Sequence, residues 1–410
     1  MSMLAALRLP GVRRLGAAGL LSETGDWMLL IALPVYVLQL TGSAFTTATV
    51  LVLELVPTVL AGPFVGLLVD RCERWRLMAL VATAQALLLL PLLAVDGAGD
   101  LWVVYLVVVA ESLLGTVIEP ARAVAAAALV RPDQLMAVNG ALGLLSSLAR
   151  LVGGPVGGLL LGLGGIRGVV LADAVSFLAC AVLCTWGRPR SLPSPAVTAR
   201  PPRLLHDWAA GMAVLLRSRP LRRTLGVTSC LGAAQGGFLV LFVLFVLRDL
   251  QGSEADVGLL RGVQAIGSLA GGLLLGVVSR RLRPTTLLAV SLGLFGVLSL
   301  ATWNAPALTT ALGLYVGLFV AVGVPGLAAS TSLLTLLQLH ADEAARGRVI
   351  STVLAVSGGA QAGGMLLAGL VGTGAGLTSA LQVQGCLYLV ATLLALRIGQ
   401  PSAVPAAPTR

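Results

Sequence analysis

Asp26, Glu54 and Glu111 each interrupt an apolar stretch long enough to cross a bilayer, and so does Arg150. An ionisable group at that depth is costly unless it faces a cavity or a partner, so each is a candidate for function. A carboxyl withdrawn from water holds its proton more readily. An acid that faces two compartments in turn can load on one side and release on the other. Glu23 lies three residues before Asp26, on the same helical face, and joins Asp26, Glu54 and Glu111 as a candidate proton carrier. Glu119 and Arg122, also three apart, read as a structural pair, and Arg150 reads as salt-bridged to one of the acids. Both histidines, His206 and His340, fall outside the apolar stretches, so carboxylates must carry any proton.

Other chemistries find no constellation. The five Cys follow no metal-ligand spacing and read as small hydrophobes, so no metal is expected. In the Gly-rich segments 153–164 and 358–376 no Lys or Thr completes a phosphate-loop motif, and no strand precedes them. They read as close helix packing around Gly154, with Pro155 kinking its helix. No cofactor is expected, and no enzyme. The net charge of +10 comes from arginines scattered over short loops, with no Lys anywhere, which argues for membrane topology and against a nucleic-acid partner.

The elements that must hold these groups are membrane helices. A chain of 410 residues that is 57% apolar and 11% charged is an all-α integral membrane protein rather than a water-soluble globule. Apolar runs of about 20 residues, the length that spans the hydrocarbon core, predict twelve helices. They cover 15–40, 45–69, 77–95, 101–128, 137–163, 168–187, 223–247, 257–279, 285–303, 307–338, 349–373 and 378–398. Among the odd-numbered loops only two arginines occur, Arg167 and Arg248, so both termini are expected in the cytoplasm of a multi-pass protein. The expected organisation is a six-helix bundle over 1–187, a cytoplasmic linker over 188–222, a second six-helix bundle over 223–398 and a tail over 399–410. Within the linker, Leu204, Trp208, Met212 and Leu215 or Leu216 fall on one stripe of an amphipathic helix at the inner surface.

The two halves echo each other at an offset of about 210 residues, as duplicated transporter halves do. Gly66-Leu-Leu-Val-Asp-Arg answers Gly276-Val-Val-Ser-Arg-Arg, and Gly153-Gly154-Pro155 answers Gly363-Gly364-Met365. The same offset maps Asp26 onto Gly236, Glu54 onto Gln264, Glu111 onto Ala321, Arg122 onto Ser332 and Arg150 onto Ala360. A structural requirement would be expected to recur in both halves, whereas proton coupling can reside in one.

Gly66-x3-Asp70-Arg71-x2-Arg74-x-Arg76, after the second span, resembles the signature loop of the major facilitator superfamily, with Glu73 where many members carry Gly. Further matches are Ser22-x2-Gly25-Asp26-Trp27, Pro120-Ala-Arg122, Leu129 to Leu135, Asn139, Arg150, Gly154-Pro155-x2-Gly158 and Ser176-Phe177. With Gln338 and Arg346-Gly-Arg348-Val349, these resemble the branch that holds macrolide-efflux proteins and the enterobactin exporter. Where many drug antiporters have an Arg four residues before a Gly in the fourth helix, Glu111 precedes Gly115 here. The resemblance implies two bundles rocking about a cavity lined by spans one, two, four, five, seven, eight, ten and eleven, with Trp27, Glu111, Arg150 and Gln264 on its wall. It implies a latch in which Gly66, Asp70, Arg71 and Arg74 meet the start of the eleventh span at Arg346 and Arg348. The implied function is a monomeric plasma (inner) membrane exporter that exchanges protons for a bulky amphipathic small molecule, any cationic amine being drawn by the acids. Alternatives are a siderophore, self-made antibiotic or lysophospholipid as cargo, or a membrane-embedded enzyme or sensor that moves nothing.

Overall fold

The computed structural model describes residues 3–131, 134–186, 212–278, 282–340, 346–372 and 376–398; for 3, 4, 62–64, 66, 67, 70, 71, 276–278 and 346–348 it describes the backbone alone. After a one-turn helix, Met3–Ala6, the spans are α1 (Pro10–Thr41), α2 (Ala44–Arg71), α3 (Arg74–Leu89), α4 (Leu101–Leu129), α5 (135–164) and α6 (166–185). The second half follows as α7 (Arg219–Leu244), α8 (Glu254–Val278), α9 (Pro284–Asn304), α10 (Leu312–His340), α11 (Arg346–Val371) and α12 (Leu377–Leu396). No strand occurs among the described residues. The twelve expected spans are present; most begin up to about a turn earlier than expected, while α10 begins later, at Leu312, and several, α3 and α7 among them, end earlier.

Local chemistry sets the ends. Ser43 caps α2 by accepting from the Thr46 amide at 3.2 Å. Glu73, the departure in the signature loop, caps α3: its carboxylate accepts from the amides of Trp75 at 3.1 Å and Arg76 at 2.8 Å, where the helix dipole favours an anion. Pro91 cannot donate to the helical ladder, and α3 tightens there into a 3-10 turn, Leu90–Ala94. Between α5 and α6 the chain turns at Gly165, whose φ of 64° suits a residue without Cβ. The break in helical backbone therefore falls at Gly165 and not at Pro155, which stays helical and serves as a packing seat.

Each half is a six-helix bundle built on a close crossing of its first and fifth helices. A Cβ at Gly153 or Gly157 of α5 would strike Thr24 or Met28 of α1, and one at Gly364 of α11 would strike Ala233 of α7. The halves meet along two seams. In one, α5 crosses α8 so closely that a Cβ at Gly154 would lie 2.9 Å from the Gly258 carbonyl, and one at Gly262 would lie 2.7 Å from the Pro155 ring. In the other, α2 packs on α11, Val59 against Gly358 and Phe45 against Gly369. At the face opposite the termini, Gln39 donates to Glu254 across the halves at 2.5 Å. Of the expected linker helix, residues 204–211 lie outside the described residues. Met212–Arg217 is helical, and Leu215 is buried with Leu221, Leu337 and Val349.

Candidate functional site

Two cavities lie side by side. The larger, about 1090 Å³, sits between the halves and reaches Gly140 and Gly143 in the first turns of α5 and Leu273 and Ser330 near the ends of α8 and α10. It therefore opens towards the face that carries the termini. The smaller, about 500 Å³, lies inside the first bundle among α1, α2 and α4.

The expected residues divide between them. Asp26, Glu54 and Glu111 line the inner cavity together with Thr58, Ser112 and Thr116. Glu111 Oε1 accepts from the buried Gln85 Nε2 of α3 at 2.5 Å, while its other oxygen has no partner. Asp26 faces the same space and is within electrostatic reach of Glu54 and Glu111. Among the described residues no cation lines this cavity. Trp27, Arg150 and Gln264 line the central cavity. Glu111, expected on the central wall, turns instead into the first bundle, because that face of α4 packs towards α2 and α3.

Glu119 alone among the acids belongs to both walls. Arg122, only 8% exposed, clamps it from the next turn at 2.6 Å and also pairs with Glu23 of α1, so one guanidinium holds two carboxylates of different helices. The pairing of Glu119 with Arg122 is present as expected, with Glu23 as a third member. Arg150 departs from expectation, since it takes part in no ion pair among the described residues. It donates to Ser268 Oγ of α8 at 3.1 Å and lies over the Trp27 ring at 5.7 Å.

The central wall also differs from the expected one. Among the described residues, helices α2 and α11 contribute nothing to it, because they are packed on each other in the second seam. Helices α9 and α12 take their place through Phe295, Ser299, Trp303 and Gln384. Phe238, Trp303 and Phe319 form an aromatic floor, with ring centroids 6.1 to 6.4 Å apart. Arginines lie beside this floor, and the carboxylates described on the same wall, Glu23 and Glu119, are both held by Arg122.

Two charged residues escaped the sequence argument. Asp173 of α6 is 0% exposed, and Oδ1 accepts from Ser176 Oγ at 3.2 Å while Oδ2 has no partner. It presses on Gly25, where any Cβ would overlap it. Asp173 lies only about two turns from the start of its span, so a search at mid-depth passes over it, although the rule that any intramembrane acid is suspect would find it. Arg261 of α8 lines the central cavity, lies over the Phe238 ring at 5.0 Å and donates to Gln264 at 3.1 Å. In the latch, the side chains of Gly66, Asp70, Arg71, Arg346 and Arg348 lie outside the described residues. Arg74 is half-buried, with Nε unpaired.

The family model described as Major Facilitator Superfamily matches residues 15–341 and 224–410. The multidrug efflux pump Tap of Mycobacterium tuberculosis is 27% identical over 399 residues, covering 93% of this chain and 91% of that protein. Macrolide efflux protein A of Streptococcus pyogenes is 25% identical over 272 residues, 66% of this chain and 67% of that protein. Among solved structures, a bacterial homologue of the iron transporter ferroportin in its inward-facing state superposes with a TM-score of 0.74. It is 19% identical and covers 96% of this chain and 98% of its own.

Proposed function

Since the chain belongs to the major facilitator superfamily and is a membrane transporter, we propose that it exports bulky amphipathic small molecules in exchange for protons. The observation that carries this reading is the separation of two cavities. One holds Asp26, Glu54 and Glu111 with no cation among its described lining residues, and the other has the volume and aromatic floor for a large apolar body. The efflux activity in the names of Tap and macrolide efflux protein A supports the direction.

In this reading Asp26, Glu54 and Glu111 carry protons, and Glu119, on the wall between the cavities, passes their charge state to the substrate side. The bundles 1–187 and 223–398 rock about the α5–α8 and α2–α11 seams, with 188–222 as the tether and 399–410 as a tail. The arginine-rich face with both termini is cytoplasmic in a plasma membrane, so the central cavity is described in its inward-open form. Asp70 then latches onto the start of α11 near Arg346 and Arg348 when that side shuts. Both cavities lie within one chain, so a monomer suffices.

The test is reconstitution in liposomes with an imposed proton gradient and a panel of radiolabelled lipophilic antibiotics, including a macrolide. Accumulation that follows the gradient and vanishes with a protonophore is expected. Accumulation that persists when the gradient is collapsed would remove proton coupling, and counterflow of no compound would remove the drug class.

A further inference from the structure

The proton reading leaves the two arginines of the central cavity without a task. Arg150 comes from α5 and Arg261 from α8, so the pair straddles the two halves, close enough for like charges to repel. Neither takes part in an ion pair among the described residues. Each lies over an aromatic ring instead, Arg150 over Trp27 and Arg261 over Phe238. A ring face lessens the cost of holding a cation away from water but leaves its charge in place. Their polar contacts are to neutral groups, Ser268 and Gln264, and the buried Nε of Arg150 has no acceptor at all. The only carboxylates on this wall among the described residues, Glu23 and Glu119, are both held by Arg122. With the acid–arginine triad keeping one net negative charge and Arg150 and Arg261 supplying two positive ones, the wall carries a net positive charge, placed at the two arginines beside the aromatic floor.

We infer, building on the export reading, that the cavity takes an amphipathic organic anion. A carboxylate, sulfonate or phosphate head sits between Arg150 and Arg261, whose planar donor forks suit such groups. An aromatic or alkyl body lies against Phe238, Trp303 and Phe319. Because the two arginines belong to opposite halves, the anion removes a repulsion across the cavity and favours the form in which the halves approach each other there. A substrate that binds one form better than another shifts their ratio, as a transport cycle requires.

Binding of three matched probes to the full-length protein in nanodiscs, with no gradient, tests this. The probes are 4-(1-pyrenyl)butyrate, the corresponding pyrenyl alcohol and the corresponding trimethylammonium, read by quenching of tryptophan fluorescence with empty discs subtracted. The butyrate is expected to bind at least tenfold more tightly than the ammonium, about 1.4 kcal/mol, with the alcohol between. Arg150→Gln and Arg261→Gln should each remove most of that preference and change the alcohol's affinity less than threefold. An ammonium probe that binds the unaltered protein as well as the butyrate overturns the inference, whether or not the variants fold. So does a preference that survives both substitutions. Since no gradient is present, failure of proton-driven flux is a separate result that bears on the export reading alone.

Discussion

The two halves share one helical plan and fill it with opposite chemistry. In the first, the space among α1, α2 and α4 is an open cavity holding Asp26, Glu54 and Glu111, with Asp173 packed nearby on α6. In the second, the corresponding region is closed by rings: Phe238, Phe242, Phe245, Trp303, Tyr315 and Phe319 touch one another in a continuous cluster. Among the described residues, every ring-to-ring contact lies in that half. Duplication thus conserves the backbone crossings and frees the interiors to diverge. One bundle keeps groups that can change charge, and the other becomes a stiff apolar wall for what the central cavity holds.

The sharpest way to break this division is to remove one acid at a time. Asp26→Asn keeps shape and polarity but cannot cycle a proton, so gradient-driven transport in proteoliposomes should fall at least a hundredfold while downhill exchange persists. Glu54→Gln should behave similarly. Its counterpart in the second half, Gln264→Ala, should alter substrate affinity and leave the response to the gradient intact. A Gln264→Ala protein that exchanges downhill but no longer responds to the gradient would put coupling in both halves.

Stability offers the next contrast. Arg122→Ala leaves the part-buried Glu23 carboxylate of α1 without its cation, and breaking a buried pair costs up to about 3 to 5 kcal/mol, while the exposed Glu119 loses little. The purified variant should melt many degrees lower or fail to accumulate. Ser332, the residue at the same place in the second half, is buried with its hydroxyl unpartnered, so Ser332→Ala should be neutral or slightly stabilising. Equal melting shifts for the two variants would mean that the triad holds no more than its counterpart does.

The apolar rhythm gave away the twelve spans, and the 210-residue offset pointed to the loss of acids from the second half. Both signals are local or periodic. Which wall each acid faces was not legible, because Glu111 lies on a helix with apolar neighbours on all sides and no amphipathic stripe to orient it. Arg150 was misread as salt-bridged because pairing with an acid is the commoner way to bury a guanidinium. Its ring partner, Trp27, lies on another helix and becomes visible only when α1 crosses α5. Asp173 was within reach of sequence reasoning, but its contact with Gly25 was not, since a glycine signals closeness without naming its partner.

That contact predicts a smaller effect. Gly25→Ala places a methyl group where the Asp173 carboxylate and Ser176 hydroxyl now sit. Overpacking of this kind costs about 1 to 3 kcal/mol, read as a lower melting temperature in detergent. Gly237→Ala in α7 is the comparison, because its methyl would meet only Gln384 Cγ at 3.8 Å, and it should melt within a degree or two of the parent. If the two variants melt alike, Asp173 yields freely and is not a fixed part of the α1–α6 contact.

The smallest effect belongs to the hydrogen bond that ties the halves together at the closed end. Gln39 of α1 donates to Glu254 at the start of α8, on the face opposite the termini, where a Cβ at Gly158 would lie 3.0 Å from Ala255 Cα. The glycine seam is shape complementarity that both halves must give up to open, whereas the Gln39–Glu254 bond is partly exposed and exchanges with water. Its net worth is about 0.5 to 1.5 kcal/mol. Because it exists in only one of the two states, losing it shifts their ratio by roughly 2- to 13-fold. Glu254→Ala should therefore open the closed end more often without touching either cavity's charged groups. An Ala255→Cys reporter, in a background lacking Cys72, Cys180, Cys184, Cys230 and Cys386, can be followed with a membrane-impermeant maleimide applied from that face. Faster labelling in the Glu254→Ala background by a factor within this range is the expected outcome. An unchanged rate would mean that the seam alone holds the closed end, and the contrast between a mobile polar tie and a fixed glycine crossing would have to be abandoned.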